Sequence, residues 1–90
     1  MERNVFKTLD KGRMPSEKAW GSVRLYIDIG LTTREEVCKH LKEYLEISIP
    51  YIEEHADISM LYWKREIREM RTALAALNNG GAVTYKGVEL

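Results

Sequence analysis

Four basic side chains recur at helical spacing in the second half of this 90-residue sequence: Lys64, Arg65, Arg68 and Arg71. Residues three or four apart lie on one side of an α-helix, so Lys64, Arg68 and Arg71 are predicted to form a ridge. Ammonium and guanidinium groups bind carboxylates and phosphates, and the ridge is therefore a candidate docking surface for an acidic protein or for phosphates. Because Glu66 and Glu69 lie between the basic residues, an ordinary solvated face is the first interpretation, and the docking surface is the functional alternative.

Residues that could catalyse a reaction or hold a metal are few. Cys38 and His40 have only neighbouring glutamates as further ligands, which makes a weak metal site. His55 has Ile52 three residues before it, where di-iron bundle proteins carry a carboxylate. The sequence therefore predicts no catalytic residue, no metal and no cofactor, and it predicts that the protein is not an enzyme.

A stripe of apolar residues with alternating spacings of three and four indicates a helix with one buried side. It consists of Met60, Trp63, Ile67, Met70, Leu74 and Leu77. Three interpretations of the stripe remain open: the inner face of a monomeric helical domain, a homodimer seam, and a groove for a partner's helix. As a dimer seam it suits four helices from two chains, because a Trp is too large for a tight two-stranded coil.

Composition and charge predict a single helical domain over residues 1–90. Hydrophobic residues make up 44% of the chain and charged residues 31%, as in ordinary globular proteins. The net charge is zero, although the middle of the chain is acidic and both flanks are basic. A neutral chain lacks the broad positive field that nucleic-acid binding favours. With no apolar run long enough for a signal peptide or a membrane helix, the expected location is the cytoplasm.

The local signals favour a mainly α-helical fold with three principal helices. The first is predicted at about 16–29, starting near Ser16 and ending at Gly30, and residues 2–10 are predicted to form a shorter helix before it. The second is predicted at about 33–48, where two overlapping capping boxes, Thr32 with Glu35 and Thr33 with Glu36, can start it. Pro50 disfavours helical geometry in the residue before it, so the second helix is predicted to end near residue 48.

The third helix is predicted at about 50–78, with a kink near 57–59. Asp57 and Ser59 are weak helix formers and good caps, so a complete break at this point is the alternative. Residues 78–81, Asn-Asn-Gly-Gly, end the helix. In residues 82–90, a short β-hairpin is predicted around a tight turn at Lys86 and Gly87.

Two segments resemble parts of known families. The stretch LTTREEVCKHLKEYLEISIPYIEEHADI at 31–58 resembles the helix-turn-helix of bacterial transcription regulators, with the recognition helix at SIPYIEEH. That segment carries Glu53, Glu54 and Asp57 but no Lys or Arg, an unfavourable charge for phosphates. The segment RTALAALNNGGAVTYKGVEL at 71–90 resembles the helix-to-hairpin part of small phage head–tail joining proteins of the W type, which implies a phage or mobile-element origin.

Together these observations predict a small non-enzymatic protein–protein interaction module that acts as a homodimer. An inhibitor, an adaptor or an assembly factor would fit, encoded by a phage or mobile element and directed at a host protein. The alternative is a DNA-binding regulator of the helix-turn-helix kind.

Overall fold

A computed structural model describes residues 16–90 of the chain. In this range the elements are α1 (Glu17–Gly21), α2 (Val23–Asp28), α3 (Arg34–His55), α4 (Leu61–Asn79), β1 (Thr84–Tyr85) and β2 (Val88–Glu89). The predicted mainly α-helical class with a C-terminal β-hairpin is confirmed. The short helix predicted at 2–10 lies outside the described residues.

The predicted helix at 16–29 is divided at Ser22 into α1 and α2. Ser16 caps α1, accepting a hydrogen bond from the backbone N–H of Ala19 at 3.2 Å. At the division the Ser22 hydroxyl donates to the carbonyl oxygen of Lys18 at 3.0 Å. Such back-bonding bends helices, and Gly21-Ser22 is the kind of pair at which helices kink. The two short helices still place Trp20 and Val23 in the same core.

The link between α2 and α3 follows the sequence signals. Gly30 has a φ of +81°, which glycine adopts without steric cost. Its N–H donates to the carbonyl oxygen of Ile27 at 3.1 Å, and the N–H of Leu31 donates to the carbonyl oxygen of Tyr26 at 2.9 Å. These two hydrogen bonds form a Schellman motif. Thr33 then caps α3, since its side chain accepts from the N–H of Glu36 at 3.1 Å. The predicted Gly30 stop is confirmed, and of the two predicted capping residues, Thr32 and Thr33, the structure uses Thr33.

The predicted boundary at Pro50 is wrong, because α3 continues through this proline to His55. Proline has no N–H, so the carbonyl of Glu46 loses its partner in the helix. Packing compensates for this loss, since Leu45 and Ile49, which immediately precede Glu46 and the proline, are buried, and Ile52 packs against the same core. The apolar face thus runs on past the proline without interruption.

The continuity of α3 also corrects two further predictions. A helix-turn-helix at 31–58 needs a turn between its two helices, but residues 34–55 form one helix. The predicted helix at 50–78 begins only at Leu61, because the chain breaks at 56–60. There Asp57 Oδ1 accepts a hydrogen bond from the N–H of Ser59 at 3.0 Å, so the break lies where the kink was predicted.

The hairpin has the predicted tight turn. Lys86 and Gly87 have φ values of +49° and +79°, the positive values of a type I′ turn, and Tyr85 pairs with Val88. Val83 and Leu90 extend the pairing by two backbone hydrogen bonds of 3.2 and 2.7 Å. The hairpin packs against α4 and α2, which gives this small sheet the support it needs.

The helices α3 and α4 pack side by side, and other elements cover one side of this pair. The core lies between the helix pair and these covering elements. Trp20 Nε1 donates to the carbonyl oxygen of Tyr85 at 2.9 Å, and the two rings meet edge to face with centroids 6.0 Å apart. The buried hydrophobic residues are Trp20, Val23, Val37, Leu41, Leu45, Ile49, Met70, Ala73, Val83, Tyr85, Val88 and Leu90. Every helix and the hairpin therefore contribute to one cluster.

Candidate interaction surfaces

The predicted apolar stripe divides between the core and the surface. Met70 is 1% exposed, and Leu74 and Leu77 are half-buried against the core. At the other end Met60 is 53% exposed, while Trp63 and Ile67 are half-buried outside the core cluster. Only the C-terminal half of the stripe therefore contributes to the core of one copy of the chain.

The start of α4 exposes three consecutive apolar residues, here called the apolar tip: Met60, Leu61 and Tyr62. Their exposed fractions lie between 53% and 60%, and the Tyr62 ring packs edge-on against Trp63 with centroids 4.9 Å apart. Successive helical residues point about 100° apart, so four apolar residues in a row cannot all face one core. The run Met60 to Trp63 could have revealed this surface in the sequence, but the stripe alone did not.

The predicted basic residues lie on the exposed side of α4, beside α3. Lys64, Arg68 and Arg71 line a shallow groove of about 480 Å³, together with Ile58 and Ile67. Arg65 is exposed and does not line it. The structure therefore brings three of the four basic side chains together, with apolar side chains beside them.

A second shallow groove adjoins the first at Arg71, which lines both. This groove, of about 390 Å³, runs between α3 and α4 and is lined by Glu46 and Leu74 among others. Glu53 on α3 holds Arg71 across the boundary, with its Oε2 atom 2.7 Å from the guanidinium. The two grooves form one continuous surface, here called the α3–α4 face, with carboxylates along α3 and cations along α4.

The opposite side of α4 carries Glu66 and Glu69, the glutamates that lie between the basic residues in the sequence. Glu66 and Glu69 both contact Lys86 at the hairpin turn, the latter at 3.4 Å. Partial burial lowers the pKa of Lys86, but the hydrogen bonds and charges of the two carboxylates outweigh it, so the pKa lies above its ordinary value. These glutamates therefore hold the hairpin and do not lie among the basic side chains of the grooves.

An aromatic cleft of about 780 Å³ lies on the same side as Lys86. Trp20, Tyr44, Tyr62 and Tyr85 line it with several glutamates. Burial, followed by the effects of Tyr44 and the glutamates, raises the pKa of Tyr85 well above its ordinary value. The Lys86 ammonium group lies 5.8 Å from the centre of the Tyr85 ring, so the chain supplies its own cation to this cleft.

The residues considered for catalysis lie apart from these surfaces. Burial raises the pKa of the Cys38 thiol, which is half-buried against the core. His40 Nδ1 lies 3.8 Å from Glu43, and the His55 ring stacks on Tyr51 with centroids 4.2 Å apart. Within residues 16–90, no three His, Cys, Asp or Glu side chains are grouped so that they could bind a metal ion.

Comparisons with known proteins do not connect these surfaces to a function. None of the helices in residues 16–90 combines the length and the apolar character needed to cross a lipid bilayer. Family models, curated proteins and solved structures all gave no match to this chain.

Proposed function

We propose that this chain is a non-enzymatic protein–protein interaction module that acts as a homodimer in the cytoplasm. An inhibitor, an adaptor or an assembly factor encoded by a phage or mobile element would all work by this mechanism. The proposal assigns no catalytic residue, metal or cofactor to the protein.

The observation that carries the proposal is the exposure of the apolar tip. Tyr62 is 59% exposed and Leu61 is 60% exposed. Both belong to the segment from Ile58 to Trp63, which contains no charged residue. Contiguous apolar side chains exposed to water raise the free energy of the protein, and a partner that covers them lowers it. Aromatic residues and Met are enriched at protein interfaces for this reason. The tip is accordingly assigned to a partner protein.

Site-specific photo-crosslinking tests the assignment. Leu61→p-benzoylphenylalanine places the reactive group in the tip, and the cells that naturally produce the protein supply the partners. We expect an adduct with a protein of different mass from this chain, because the tip is covered in the complex. The adduct should weaken at least about tenfold when Tyr62→Asp is added, since a carboxylate is costly to bury at an interface.

Leu25 provides the matched control for this experiment. It is 57% exposed, nearly the same as Leu61, but belongs to α2, which packs on α1 and β2. The Leu25→p-benzoylphenylalanine variant should give no such adduct. Equal adducts at both positions, or none at Leu61, would contradict the proposed role of the tip. Circular dichroism of each variant verifies that the helices are intact.

A further inference from the structure

We infer that the partner of this chain presents an acidic segment with apolar side chains, and that this segment binds the groove lined by Lys64, Arg68 and Arg71. This groove of about 480 Å³, here called the basic groove, also contains Ile58 and Ile67. The inference rests on the interaction module of the proposed function and names the chemistry of its partner.

The basic groove has an excess of positive charge that the folded chain does not neutralise. Among the carboxylates of residues 16–90, only Glu53 lines it, and its Oε2 atom lies 2.7 Å from the Arg71 guanidinium. Lys64 and Arg68 are exposed and make no ion pair with any residue in the range 16–90. Two cations therefore remain available to a ligand.

The fold separates these cations from the glutamates that lie between them in the sequence. Glu66 and Glu69 both contact Lys86 of the hairpin turn, on the opposite side of α4. The chain as a whole has no net charge, but this part of its surface is locally positive. A local excess of positive charge favours an acidic ligand and disfavours a basic one.

Apolar side chains in the basic groove favour a protein segment over a simple anion. Ile67 is half-buried and Ile58 is 46% exposed. Binding of a phosphate backbone rests on charge, so phosphates gain little from these two residues. A Leu, Ile or Phe side chain of a partner would remove their apolar surface from water. Acidic residues beside an apolar residue therefore match the groove.

The basic groove also adjoins the apolar tip. Ile58 lies two residues before Met60, where the tip begins, and Lys64 lies two residues after Tyr62, where it ends. A single partner can therefore cover the tip and place its acidic segment in the groove.

Lys64 and Arg68 indicate the spacing of the partner's acidic residues. The two residues lie about one turn apart on α4, which corresponds to about 6 Å along the helix. Carboxylates four residues apart on a partner helix, or two residues apart on an extended segment, have a similar separation. The partner segment is accordingly expected to carry a pair of acidic residues at one of these spacings.

Selection from a library of random peptides displayed on bacteriophage tests the inference without the natural partner. The immobilised wild-type chain is the target. We expect the enriched peptides to combine an excess of Asp and Glu with at least one large apolar residue. A synthetic, fluorescein-labelled peptide of the enriched sequence should bind the chain with a Kd of about 100 µM or below, measured by fluorescence anisotropy.

Substitutions in the groove then show where the peptide binds. Lys64→Glu with Arg68→Glu should weaken binding at least about tenfold, because like charges then face the carboxylates of the peptide. Ile58→Ser should weaken it at least about threefold, since apolar contact is lost. The matched control is Lys39→Glu with Lys42→Glu, which changes the net charge equally at exposed positions of α3 outside the groove.

The control variant should bind the peptide like the wild type. Circular dichroism of each variant verifies that the helices are intact. A double-stranded oligonucleotide is measured in the same assay, because two cations could also contact phosphates. It should bind at least about tenfold more weakly than the peptide.

Three results would overturn the inference. They are enriched peptides without an excess of acidic residues, equal binding of the peptide by the Lys64/Arg68 and Lys39/Lys42 variants, and an oligonucleotide that binds the groove more tightly than the peptide. If the Leu61 adduct with another protein still forms in any of these cases, the interaction module is retained and only the acidic nature of its partner is lost.

Discussion

Trp20 shows how a single side chain holds distant parts of this chain together. Its indole N–H donates to the backbone of Tyr85 at 2.9 Å, a residue 65 positions later, and its ring packs against the Tyr85 ring. Only 3% of Trp20 is exposed, although it belongs to a helix of five residues. So short a helix is not stable in isolation, and the contact with the hairpin stabilises it.

At this scale we predict that Trp20→Phe lowers the free energy of unfolding by about 1–3 kcal/mol, because the hydrogen-bond donor to Tyr85 is lost in a buried site. Urea unfolding followed by circular dichroism at 222 nm measures the loss. Trp63→Phe is the matched control, since Trp63 is half-buried outside the core cluster. Its effect should stay within about 1 kcal/mol. Equal losses in both variants would refute the role assigned to Trp20.

At the scale of elements, α3 illustrates how packing overrides a local signal. Pro50 removes one backbone hydrogen bond, but ending the helix there would separate Ile52 from the face that buries Leu45 and Ile49. Burying an aliphatic side chain contributes about 1.5–3 kcal/mol, similar to the cost of a proline inside a helix. The helix therefore continues and carries a local defect at the proline.

If this account is right, Pro50→Ala restores the hydrogen bond to the Glu46 carbonyl and stabilises the protein. We expect a gain of about 1–2 kcal/mol, because the greater flexibility of the unfolded chain offsets part of the roughly 3 kcal/mol cost of the proline. Thermal and urea unfolding measure the gain. Lys39→Ala, an exposed change in the same helix, should alter stability by less than about 0.5 kcal/mol. A destabilised Pro50→Ala protein would contradict this explanation.

At the scale of the whole molecule, the two sides of the helix pair differ in what covers them. The covered side holds the hydrophobic cluster, Trp20 and the hairpin. The opposite side presents apolar side chains between the carboxylates of α3 and the cations of α4. Along its length the apolar stripe passes from the exposed apolar tip into the buried core. Its six residues therefore do not all belong to the core.

Substitutions of two methionines of the stripe test this division between core and surface. Met70→Ala should lower the free energy of unfolding by about 2–5 kcal/mol, because it leaves a cavity in a fully buried site. Met60→Ala should lower it by less than about 1 kcal/mol, since Met60 is 53% exposed. Urea unfolding at low protein concentration compares the two variants in the monomer. Similar losses would mean that the stripe is buried along its whole length.

The sequence by itself determined the features that depend on neighbouring residues. A helix start near Ser16, a cap at Thr32 or Thr33, the Gly30 stop and the turn at Lys86 and Gly87 could all be predicted, because each is a local preference of the backbone. The mainly α-helical class with a terminal hairpin followed from the same signals. For the candidate surfaces, spacing placed Lys64, Arg68 and Arg71 together correctly.

Only the tertiary structure decided what each helix face contacts. Local rules end a helix before Pro50, and the packing of Ile49 and Ile52 reverses that outcome. Periodicity groups Met60 with Met70, but whether such a residue is buried depends on which element covers it. Trp20 of α1 contacts Tyr85 of the hairpin 65 positions later, and no local pattern encodes this contact or the side of α4 against which the hairpin packs. Burial is a property of the assembled fold, so the division between core, apolar tip and α3–α4 face exists only in three dimensions.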